Sequence, residues 1–139
     1  MKRIYLISFV FLCAFFGVQV LEAQDSFTAR VYYVDGGSDI VYDFMLLEDV
    51  PGMLVSQGET EYNFNFSVMR RIEAIASEPV TWPDGETGYI DTLRITFKNG
   101  EVGTYDAYES EEHPSFFTGY TESGEWWEYE DLIAEIEFL

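Results

Sequence analysis

The stretch FTARVYYVDGGSDIVYDF, residues 27–44, reads as two strands around a turn. Residues 27–34 alternate, with Phe27, Ala29, Val31 and Tyr33 on one face and Thr28, Arg30, Tyr32 and Val34 on the other. A period of two is that of a strand, whose successive side chains point to opposite faces. Asp35-Gly36 falls where a two-residue hairpin loop belongs, because both central positions of that turn need positive φ. This loop predicts Val31 opposite Ile40, Ala29 opposite Tyr42 and Phe27 opposite Phe44, with all six on one apolar face.

The pattern continues downstream. Pro51-Gly52 and Gln57-Gly58 are turn signals that bracket a short strand at 53–56. Residues 60–67 form the cleanest strand of the chain, with Tyr62, Phe64 and Phe66 facing one way and Glu61, Asn63, Asn65 and Ser67 the other. Met69, Ile72 and Ile75 follow at three-residue spacing, which suggests a helical turn leading into a strand. Residues 77–91 hold Pro79, Pro83, Gly85 and Gly88 among polar residues and are expected to connect two halves.

The second half opens on Leu93, Ile95 and Phe97, alternating up to the hairpin signal Asn99-Gly100. A plain two-residue loop there would set Leu93 against Asp106. A bulge near residues 101–103 would instead turn Tyr105 and Ala107 inward, and glycine commonly marks such a bulge. Strands are expected at 115–121 and 125–130, with a closing strand through Ala134, Ile136 and Phe138.

The two halves echo each other at one constant spacing. Arg30-Val31 matches Arg94-Ile95, Asp35-Gly36 matches Asn99-Gly100, and Ile72-Glu73 matches Ile136-Glu137. The expected class is therefore all-β, built from two similar β-meander halves at 24–76 and 92–139. These would be tandem small barrels or one sandwich with a shared core. Each half holds only about 50 residues, near the lower limit for a core without disulfides or metal, which favours sharing.

Residues 1–23 precede this domain and read as an export signal. Lys2 and Arg3 lead an uncharged apolar run from Ile4 to Val20, before Leu21-Glu22-Ala23 with a small residue at the cleavage position. The run falls short of the ~20 residues of a typical membrane-spanning helix. A lipid-bearing Cys13 would split the run, so a lipoprotein signal is rejected. The expected location is periplasmic, cell-surface or secreted. Cys13 is the only cysteine, so the mature chain contains no disulfide.

Cleavage leaves 116 residues with 5 basic and 25 acidic side chains, a formal charge of −20. Nucleic acid and anionic membrane surfaces are repelled by such a chain, whereas basic proteins are attracted. Catalytic constellations are not evident: His113 is the only histidine, and Ser115 lies too close to it in sequence to read as a triad partner. Asp84, Glu86 and Asp91 lie in a glycine-containing loop that lacks EF-hand spacing. No metal, cofactor or catalytic residue is assigned, and the chain reads as non-catalytic.

Aromatic residues supply the binding candidates. Trp127 and Tyr129 share one face of their strand, leaving Trp126 on the other with Glu128 and Glu130. Trp82 in the connector is a second candidate. An aromatic among carboxylates can anchor a protein partner or stack on a sugar. The leading expectation is a basic protein met through Trp126 and the acidic segment 122–137; carbohydrate is the alternative, stacked on Trp82, Trp126 or Tyr129.

Overall fold

The computed structural model describes residues 26–112, 115–129 and 133–139. The expected export signal, His113 and Glu130 lie outside these residues. Ten strands follow in chain order: β1 Ala29–Tyr33, β2 Ser38–Leu46, β3 Gly52–Gln57, β4 Thr60–Asn65, β5 Met69–Thr81, β6 Thr87–Phe97, β7 Val102–Ser110, β8 Phe117–Tyr120, β9 Trp126–Tyr129 and β10 Ile133–Phe138. They form one curled antiparallel sheet, a half-barrel, in the order β4-β3-β7-β6-β5-β10-β1-β2-β8-β9. The protein is all-β. In place of two barrels or a two-sheet sandwich, strands of the two halves interleave: β10 lies between β5 and β1, and β3 pairs with β7.

The order has an internal regularity. Exchanging each strand for the one five places along, β1 for β6 through β5 for β10, gives the same order reversed. Registers follow the same rule. Val31↔Ile136 and Arg30↔Glu137 in β1/β10 have counterparts, at the spacing seen in the sequence, in Ile95↔Ile72 and Arg94↔Glu73 of β6/β5. Ala29↔Val41 corresponds to Leu93↔Tyr105. At the centre, Ile72 pairs with Ile136, its own counterpart.

Four hairpins use one turn. In each, the amide of a glycine donates to a carbonyl three residues back, and the strand residue before the loop donates across to the residue after the glycine: Tyr33/Gly36, Trp82/Gly85, Phe97/Gly100 and Thr121/Gly124. All four glycines have φ between 86° and 101°, the left-handed region that L side chains disfavour. Asp35, Asp84 and Asn99 side chains accept the amide two residues on, which fixes the turn.

This turn corrects two expectations. Its loop has three residues, not two, so Ala29 faces Val41 and Val31 faces Asp39. A one-residue slip exchanges faces, and Val41 instead of Ile40 and Tyr42 enters the core. A bulge at Asp43, whose φ is 53°, then turns Phe44 inward. In the second hairpin the bulge occurs at Gly100 itself, next to the expected place, and sets Leu93 against Tyr105 and Asp91 against Ala107.

Residues 77–91, expected as a connector without a regular element, are mostly strand. Ser77↔Asp91 through Thr81↔Thr87 continue the β5/β6 ladder, and only residues 82–86 turn. Among the described residues, β10 pairs with β5 only over residues 71–73, and Pro79 stands opposite Tyr89 in the ladder with β6. The three-residue spacing of Met69 and Ile72 likewise comes from a bulge between Met69 and Arg71, since both are buried. The helical turn is a single 3-10 turn just before it, Phe66–Val68, capped by the Asn65 side chain.

The core fills the concave side. Phe44 is wholly buried and packs its ring against those of Phe66, Phe117, Trp127 and Phe138 at centroid distances of 5.1–6.3 Å. A second cluster, Tyr62, Phe64, Phe97 and Tyr105, packs edge-to-face and stacked at 5.0–6.2 Å.

Candidate functional site

Alternation along β9 decides what each aromatic does. Trp127 turns inward, is buried, and donates its indole N–H to the Tyr33 hydroxyl at 3.0 Å. Tyr129, on the same side, stacks on Trp127 and tilts against Tyr33 at 4.8 Å. It belongs to the inner packing and does not share a face with Trp126. Burial, with a hydrogen bond to Asp39, pushes the Tyr33 phenol up to about 12 against the opposing effect of the Trp127 N–H.

Trp126 faces outward and is 47% exposed. Its indole N–H donates to Glu128 on the same face at 2.9 Å. Register supplies two neighbours that sequence alone did not. Tyr120 on β8 is the direct cross-strand partner of Trp126, and Tyr42 on β2 is the direct partner of Tyr120. Both are 41% exposed. Strands lie ~4.8 Å apart, so the row Tyr42–Tyr120–Trp126 spans about 10 Å of the outer face.

The row is not a flat platform: the Tyr120 and Trp126 rings meet edge-to-face, 5.4 Å apart at 76°. Carboxylates border it. Glu128 lies beside Trp126, Glu122 and Glu125 lie in and after the β8/β9 turn, and Asp43 follows Tyr42 and accepts the Ser26 hydroxyl at 2.6 Å. β9 is the last strand of the sheet, so its outer edge adjoins the row.

Trp82 is elsewhere. It is half-buried at the β5/β6 turn and covers Gly88, where an added Cβ would come within 2.7 Å of its ring. The structure does not bring it together with Trp126. The acidic loop around it has structural partners: Asp84 caps its turn, and Glu86 accepts the Ser110 hydroxyl at 2.8 Å. Asp35 and Asp39 are similarly engaged by Gly37 and Tyr33. Among the described residues, no group of three or more His, Cys, Asp or Glu side chains is arranged to hold a metal ion.

A cavity of about 610 Å³ opens on the concave side, between β3 and the outer part of β7, with Ile72, Leu93 and Ile136 among its lining residues. Tyr129 also lines it.

Comparison with known proteins finds no family model, curated protein or solved structure that matches the chain, so the functional reading rests on the surface and cavity just described.

Proposed function

We propose that the mature chain is an exported, non-catalytic binding module that docks a basic protein through the outer row Tyr42–Tyr120–Trp126. The observation that carries this reading is the row itself: three half-exposed aromatics, directly opposite one another on adjacent strands and bordered by carboxylates. Aromatic anchors dominate binding energy in protein interfaces. Arg and Lys side chains of a basic partner gain twice here, from ring faces and from the surrounding carboxylates. A net charge of −20 after signal removal speeds the encounter. Edge-to-face rings favour a protein over a sugar chain, which stacks best on coplanar faces.

The proposal takes residues 1–23 as a cleaved export signal. It also takes the halves 24–76 and 92–139 as copies of one five-stranded unit that exchange their first hairpins. The recurrence of registers at one constant sequence offset supports that duplication, because shared turn residues alone would not reproduce cross-strand pairing.

The test is capture from the host's envelope and secreted fraction on immobilised residues 24–139, with elution by salt. The expected result is a protein of basic pI released by moderate salt, because exposed charge pairs are screened. Retention that is indifferent to salt and displaced by free sugar would overturn the reading in favour of carbohydrate.

A further inference from the structure

The two seams that join the halves are not alike. On one side, β2 and β8 pair through Tyr42↔Tyr120, Met45↔Thr118 and Leu46↔Phe117. They approach so closely that a Cβ on Gly119 would meet the Tyr42 carbonyl oxygen at 2.6 Å. On the other side, β7 and β3 retain only Ser56↔Asp106, the counterpart of Tyr42↔Tyr120. Beyond that pair, β7 stays with β6 as far as Gly88↔Ser110 and leaves β3.

Side chains differ in the same place. In the closed half, Phe44 and Phe138 fill the space with stacked and edge-to-face contacts. At the repeat spacing, their counterparts in the open half are Tyr108, which is 54% exposed, and Ala74, which lines the cavity. The cavity is thus the volume that the closed half fills with aromatic rings. At about 610 Å³ it falls within the range of small-molecule sites, ~300–1,000 Å³.

Its chemistry is specific. The floor is aliphatic, while Asp91, Glu61 and Glu109 add carboxylates, and among the described residues no Lys or Arg lines it. Ser56 is among the lining residues, and its hydroxyl is buried with no hydrogen-bond partner among the described residues. Buried hydroxyls of folded proteins are nearly always satisfied, so an unmet one bordering a cavity points to a group that completes it.

We infer that the open seam between β3 and β7 binds a small amphiphilic cation, an apolar body carrying an ammonium or guanidinium group. The body lies on Ile72, Leu93 and Ile136, and the cationic head sits near Asp91 and Glu61. Anions of the same shape are excluded by those carboxylates and by the charge of the whole protein.

Calorimetric titration of residues 24–139 with decylammonium, decanoate and decanol tests this. Expected is saturable one-to-one binding of decylammonium, with decanoate weaker by about tenfold or more, since opposite charge replaces attraction by repulsion. Ala74→Phe should abolish binding by restoring the missing ring. Asp91→Asn should keep the fold and weaken decylammonium by about fivefold relative to decanol. Trp126→Ser, on the outer face, should leave this binding unchanged, which separates the cleft from the protein-docking row. Absence of saturable binding, equal affinity for decanoate, or indifference to Asp91→Asn would each overturn the inference. If Ala74→Phe fails to fold, Asp91→Asn decides.

Discussion

Phe44 and Tyr108 stand at matching positions of the proposed repeat, yet truncating them should have very unequal consequences. Phe44 has no exposed surface and touches four aromatic rings. Replacing a buried Phe by Ala costs about 3–5 kcal/mol, the lost transfer energy plus a cavity that rigid neighbours cannot close. Four ring partners from three separate strands and the 3-10 turn hold the site open, so Phe44→Ala should cost about 4 kcal/mol. That is a large part of the roughly 5–15 kcal/mol typical of a domain. Tyr108 is 54% exposed, and its replacement by Ala should change stability by less than about 0.5 kcal/mol. Urea unfolding followed by tryptophan fluorescence measures both, and the melting temperature of Phe44→Ala should fall by about 15 °C. Equal costs for the two variants, within about 1 kcal/mol, would refute the assignment of a filled half and an open half.

Other predictions concern turns, ionisation and surface charge. Gly100→Ala should destabilise by about 1–2 kcal/mol because its φ of 95° lies in the left-handed region, whereas Gly37→Ala, free of that constraint, should cost less than about 0.5 kcal/mol by urea midpoint. For Tyr33, the folded phenol is raised from 10.0 to about 12, so the fold favours its protonated form. This contribution is fully present below pH 10.0 and is lost as pH climbs through about 12; denaturant midpoints over that window should fall more for the native chain than for Tyr33→Phe. Arg94→Ala removes a partly exposed ion pair to Glu73 at 3.5 Å and should cost less than about 1 kcal/mol, shrinking with added salt in thermal melts.

Much of the sheet was legible because turn chemistry and alternation are local. Tyr62 and Phe64 announce their strand and its inner side, and the glycines after Asp35 and Asn99 mark hairpins. What alternation cannot supply is loop count. Asp35-Gly36 fits a two-residue turn and the second and third places of a three-residue turn equally well, and that one residue decides whether Val41 or Tyr42 is buried. Prolines misled at residues 77–91, since Pro79, with no N–H to donate, still stands opposite Tyr89 in the β5/β6 ladder. Bulges at Asp43 and after Met69 convert a two-residue period into three, which resembles a helix in sequence.

Adjacency put Trp126 and Trp127 on opposite faces of their strand, but which of the two faces is buried came only from the packing. Tyr42 and Tyr120 could not be joined to it, because that step needs the long-range pairing of β2 with β8. For the cavity, a signal was present but silent: at the repeat offset, alanine stands at 74 where phenylalanine stands at 138. Only the three-dimensional packing gives that difference a volume.

The central claim is that the outer aromatic row, and not exposed aromatics in general, holds the partner. Paired capture with matched baits tests it most directly: native residues 24–139, Tyr120→Ser, Trp126→Ser, and Tyr108→Ser as an equally exposed aromatic away from the row. The account predicts that the basic protein retained by the native bait is lost from the Tyr120 and Trp126 variants and kept by the Tyr108 variant. Equal retention on all four baits, each shown to be folded by its melting curve, would contradict it.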